Sequence, residues 1–175
     1  MRKPTHLLLG LAAAAPVALS LSTGGAVAAL WFGAIGGALP DYLDLKAESK
    51  RVLRHRGASH GLTVVAICAA AVFFTLHVLA AAKDNPIPVS ASHVWPWTIA
   101  FAAGMLSHLL GDSCTVAGIR PFLPFFDRRF WLLPGFLRGR SGGPINVAAD
   151  LFAVTTLGVC LALYLHRHGV TLHRP

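Results

Sequence analysis

The sequence predicts an all-α fold, an integral membrane bundle of about five helices, with a re-entrant or interfacial segment at its cytoplasmic side. Residues 1–175 form a single membrane-embedded domain in this reading. Three observations predict it. Hydrophobic residues make up 55% of the chain and charged residues only 13%, where a soluble domain has about 25% charged. The apolar residues gather in five runs of helix-forming length. Basic residues cluster in alternate connections between those runs.

The first two runs, 7–21 and 24–39, are short and joined by "STGG", which predicts a helical hairpin. At about 1.5 Å per residue each barely crosses a hydrocarbon core, so flanking residues must contribute or the bilayer must thin. The start "MRKPTHLLLGLAAAAPVALSLSTGGA" also has the layout of a secretory signal. The hairpin explains both runs together and is the preferred reading. The third run, 61–82, has no formal charge and is long enough to span. The fourth and fifth, 94–112 and 145–165, carry an acid only near one end. Between them, "SCTVAGIRPFLPFFDRRFWLLPGFLRGRSGGP" mixes aromatics and leucines with arginines, the composition of a segment lying at a membrane surface.

Placing the N-terminus in the cytoplasm puts 12 of the 15 basic residues on the inner side. That is a strong positive-inside bias and predicts a multi-pass protein with its N-terminus inside. The net charge of +8 is assigned to anchoring beside anionic membrane lipid. A nucleic-acid partner is not expected, because no aromatic-basic or helix-turn-helix pattern accompanies the charge. Cys68, Cys114 and Cys160 are too scattered for a disulfide framework or a cysteine-type zinc site.

The same topology gathers ionisable residues at one depth. His6 lies at the start of the first span, Asp41 and Asp44 follow the end of the second, and His55 and His60 precede the third. His108 and Asp112 close the fourth, and Asp150 opens the fifth. Six of the seven acidic residues fall on that side; Asp84 does not. Ionisable groups at membrane depth are costly and mark functional sites. Histidine with aspartate is the donor set of zinc or another divalent first-row metal, and several carboxylates suit more than one ion. "HLLGD" sets His108 and Asp112 at i and i+4 on one helical face. Asp41 and Asp44 share a face if the helix continues through them; alternatively Asp41 caps a helix after Pro40. His55 stands between basic neighbours, as a metal ligand or as part of a lipid-facing patch, and Arg56 holds a substrate phosphate or pairs with a carboxylate. His77 reads as a packed core histidine, and His93, His166, His168 and His173 fall outside the cluster.

"THLLLG", "GGALPD", "HRGASHG" and "SHLLGDSCTVAGIRPFLPF" resemble the YdjM-type family of bacterial inner-membrane proteins, over residues 5 to about 126. The resemblance implies a membrane-bound, metal-dependent hydrolase, grouped with zinc-dependent phospholipase C and P1-type nucleases. It implicates His6, Asp41, His55, Arg56, His60, His108, Asp112 and Thr115. Asp44 departs from the family's Pro-Asp-x-Asp spacing, and Asp150 stands where the family commonly has glutamate. The expected function is hydrolysis of a lipid or lipid-linked phosphoester, with Asp41 and Asp112 as candidates for ligand or base. A metal-ion or proton transporter and a scaffold with a structural metal site are the rival readings.

Overall fold

The computed structural model describes residues 1–43, 57–83, 87 and 89–169. Among them are five α-helices and no strand: α1 Lys3–Ala18, α2 Thr23–Leu43, α3 Leu62–Ala81, α4 Ala91–Ser113 and α5 Pro144–Arg167. Two short 3-10 turns, Ala58–His60 and Gly135–Leu137, lie in the connections.

The predicted hairpin is present as α1 and α2, joined by a tight turn in which the Leu21 amide donates to the Ala18 carbonyl. Pro4 occupies the first turn of α1, where a missing N–H leaves no helical bond unmade. The second helix runs past the expected end at residue 39, because Pro40 is accommodated inside it. Asp41 is therefore a helical residue and not a cap, the first correction to the sequence reading. A capping box of Ser90 and His93 starts α4, and Pro144 starts α5.

Helices α1, α2 and α4 pack against one another; α3 lies on α4, and α5 packs chiefly on α1. The three-helix centre is close because glycines face backbone. A Cβ at Gly37 would meet the His6 carbonyl oxygen, and one at Gly104 would meet the Gly33 carbonyl oxygen. Small residues at such crossings let membrane helices pack by van der Waals contact where the hydrophobic effect gives little.

Polarity is distributed inside out. Helices α2, α3 and α5 are long and apolar enough to cross a membrane. Only 11% of the apolar window of α3 and of α5 is buried, so Phe74, Val78, Leu151 and Leu163 face outward. The less apolar α4 is enclosed, and it buries Thr98, His108, Asp112 and Ser113. His77 corrects a second expectation: it is exposed on α3, its ring 6.0 Å from that of Phe73. It stands on the outward face of a peripheral helix, so the bundle gives it no core to pack into.

After α4, residues 114–143 fold into a coil lobe against the end of the bundle. Ile119 and Phe130 form an antiparallel bridge, and Thr115 and Gly139 a parallel one. The Leu62 amide donates to the Pro121 carbonyl at 2.8 Å, which ties the turn before α3 to this lobe. Phe125, Phe126 and Phe136 stay exposed on it among arginines, as an interfacial segment requires.

Candidate metal centre

Five side chains from four elements converge at one end of the bundle. His6 comes from the first turn of α1 and Asp41 from the last turn of α2. His60 comes from the 3-10 turn before α3, and His108 and Asp112 from the last turns of α4. Antiparallel α1 and α2 bring residues 6 and 41 to the same end; the i,i+4 spacing sets His108 and Asp112 on one face.

The donor atoms are within reach of a common ion. His60 Nε2 lies 3.0 Å from His108 Nε2 and 3.5 Å from Asp112 Oδ2. His108 Nε2 lies 3.9 Å from Asp112 Oδ2 and 3.7 Å from Asp41 Oδ1. His6 Nε2 lies 3.3 Å from Asp112 Oδ1, and the Met1 ammonium also pairs with that oxygen. Two overlapping groups have donors within 4.8 Å of one another: His6, Asp41 and His108, and His60, His108 and Asp112. Bonds of about 2.0–2.2 Å in a tetrahedral site put donors roughly 3.4 Å apart, so the residues fit such an ion.

Hydrogen bonding aims the imidazoles. His108 Nδ1 lies 2.7 Å from the Gly37 carbonyl oxygen. A carbonyl can only accept, so Nδ1 carries the proton and Nε2 of the neutral ring presents its lone pair to the other donors. A second partner of this kind fixes the ring orientation of metal-ligating histidines. Ser59 Oγ lies 2.9 Å from His60 Nδ1 and can hold that ring in the same sense. His6 stacks on His108 with centroids 3.6 Å apart. Both His6 ring nitrogens are buried without a hydrogen bond. Buried polar atoms are normally hydrogen-bonded, so this imidazole, which faces Asp112 without such a bond, is suited to an ion between them.

Burial separates the two carboxylates. His6, His60, His108 and Asp112 are at most 1% exposed, whereas the Asp41 side chain is 11% exposed. Thr115 is buried beside them and donates to the Asp112 backbone carbonyl at 2.8 Å, which holds the end of α4 and does not engage the carboxylate. Asp150 is not brought into either donor group. One of its oxygens is buried without a hydrogen bond. Asp44, His55 and Arg56 lie outside the described residues.

Several contributors escaped the sequence reading. Asn146 Nδ2 donates to Thr5 Oγ1 at 2.8 Å and its Oδ1 accepts from the Gly142 amide, so α5 steadies the first turn of α1 next to His6. Gly37 contributes a carbonyl and a close approach. The signal for it was "GAIGG", which sets Gly33 and Gly37 four residues apart. For Thr5 and Asn146 no local pattern existed.

Comparison with known proteins follows the same direction. No curated protein and no solved structure matches the chain. The family described as YdjM inner membrane protein matches over residues 1–169. With three helices able to cross a bilayer and a buried His/Asp cluster that could hold a metal ion, this membrane protein belongs to the YdjM inner membrane protein family.

Proposed function

We propose that the protein is a membrane-bound metal-dependent hydrolase of a phosphoester in a lipid or lipid-linked substrate. Its kinship with zinc-dependent phospholipase C and P1-type nucleases belongs to the same proposal. So does a multi-pass topology in the bacterial cytoplasmic membrane with the N-terminus inside, supported by the 12 of 15 basic residues assigned to that side. The observation that carries the reading is the convergence of His60, His108 and Asp112, with His6 and Asp41, into one buried donor set.

His6, His60, His108 and Asp112 would hold the cation, and Asp41 stands at its edge. Imidazole and carboxylate donors suit zinc among the first-row ions, and two carboxylates, each able to bridge, would allow a second ion. Such an ion, when bound, lowers the pKa of a water and polarises a phosphoryl oxygen. The chain's own residues supply the rest. The Gly37 carbonyl accepts from His108 Nδ1, which orients the ring with Nε2 toward the other metal-ligating atoms. Asp112, almost wholly enclosed, balances positive charge. Asp41, the more exposed carboxylate, is placed to accept a proton from an attacking water.

A structural metal site is the second reading, favoured by the near-complete burial of four of the five donors. Hydrolysis of phospholipid and of a soluble phosphodiester by wild type, Asp41→Asn and Asp112→Asn decides between them. The hydrolase reading expects metal-dependent cleavage in wild type, and in Asp41→Asn bound metal with a loss of about 100-fold or more in rate. Equal rates in wild type and both variants would overturn it. Metal removal that unfolds a protein with no hydrolytic activity would establish the structural site.

A further inference from the structure

The donor set meets open space at Asp41, and the space it meets is a groove of about 340 Å³ between the start of α1 and the end of α2. Lys3, Leu7, Leu8, Ala38 and Tyr42 line it together with Asp41. We propose that this groove admits the phosphate-bearing head of a membrane lipid to the metal centre, with Lys3 as its anion anchor. The inference rests on the hydrolase reading and adds to it the entry route and a specificity-determining residue.

Lys3 is exposed, and its Nζ stands 5.1 Å over the Tyr42 ring. An ammonium held over an aromatic face is kept in place and still has N–H groups to donate elsewhere. Among the described residues no carboxylate forms an ion pair with Lys3, which shares the groove with Asp41. An ammonium in this setting binds a phosphate oxygen by a charge-assisted hydrogen bond. The opposite requirement, an apolar wall for the lipid's chain, is met one turn further along α1. Leu7 is 43% exposed and Leu8 lies beside it, both on the groove. A soluble phosphate would use Lys3 alone. A lipid uses Lys3 for its head and the leucines for its chain, and its phosphoester then lies next to Asp41.

The test is retention of phosphatidylglycerol by the purified full-length protein, transferred from nanodiscs of phosphatidylglycerol and phosphatidylcholine and counted by native mass spectrometry. An Asp112→Asn background prevents turnover from consuming the lipid. Lys3→Glu should lower retention about tenfold or more, the value of one charge-assisted hydrogen bond. Lys3→Arg should retain the lipid. Ala38→Trp, which fills the groove without touching Lys3, should lose it. In the wild-type background the Lys3 variants should keep their bound metal. Equal retention by Lys3 and Lys3→Glu proteins overturns the proposal, as does full retention in Ala38→Trp. Displacement of the lipid by inorganic phosphate alone would assign the site to a free anion and overturn it too. Absence of hydrolysis in the wild-type background would instead count against the hydrolase reading, and lipid retention would still report on the groove.

Discussion

The two ends of the bundle are made from the same helices and bury opposite chemistry. At one end α1, α2 and α4 enclose His6, His108 and Asp112, with His60 closing over them from the turn before α3. At the other end the interior is Ala14, Ala18, Ala26, Ala29, Leu76, Val94, Trp97 and Ala100. Its polar contacts include one buried hydrogen bond, from Trp97 Nε1 to the Gly25 carbonyl at 3.0 Å, and one at the surface, from Tyr164 to Thr23 Oγ1 at 3.1 Å. The apolar end needs nothing beyond packing to be stable. The polar end carries buried imidazoles and carboxylates that are costly until they are paired. The difference teaches that the fold is held mainly from one end, while the other gathers the groups that could hold an ion. Substitutions should therefore divide between those that change ligand binding and those that change stability.

The largest effect is expected where the polar end is deprived of a donor. Asp112→Asn removes a charged ligand while keeping size, and should weaken divalent metal binding by more than about 100-fold, beyond the 10–100-fold typical of outer-shell changes. Helical content by circular dichroism should stay near wild type, since the apolar packing is untouched. Loss of helix together with metal would break the comparison.

Next in size is a change that joins the two ends. Gly37→Val places side-chain atoms where the His6 carbonyl lies, and Gly104→Val does so against the Gly33 carbonyl. Overpacking costs about 1–3 kcal/mol, and backbone neighbours that cannot move put these variants at the upper end. Gly37→Val should also lower metal affinity, because its carbonyl orients His108. Denaturant unfolding and metal titration of the same samples separate the two effects.

A smaller and purely structural loss is expected from Trp97→Phe. It removes the hydrogen bond to Gly25 and should destabilise the bundle by about 1 kcal/mol with metal affinity unchanged. The smallest effect belongs to His77→Ala. This exposed residue on α3 should change stability by less than about 0.5 kcal/mol and leave metal binding as in wild type.

Much of this division could be read before the structure, for a physical reason. Lipid tolerates few charges, so the five helices announced themselves as apolar runs, and the charged or histidine-bearing residues left over marked one end. Their meeting followed from helix direction alone, which placed His6, Asp41, His60 and His108 together without any knowledge of packing. Helix ends were less legible. Pro40 suggested a stop, yet α2 continues through it and carries Asp41 on its last turn. Facing was the other gap. Depth placed Asp150 with the cluster, but depth does not say which way a helix is turned, and Asn146 of α5 is the residue that reaches α1. His77 was read as core because it lies well along its span with no obvious partner, yet in a membrane an apolar helix can show any face to lipid. The Gly37 carbonyl, a backbone atom, has no residue signature at all beyond the glycine spacing.

The central claim is that the buried histidines and aspartates form one metal centre. Elemental analysis of the purified full-length protein, wild type beside His108→Ala, tests it most directly, because His108 belongs to both donor groups. The account predicts a stoichiometric divalent first-row metal in wild type and its loss in a His108→Ala protein that keeps its helical content. Wild-type protein without such a metal, or a His108→Ala variant that keeps the full amount, would contradict it.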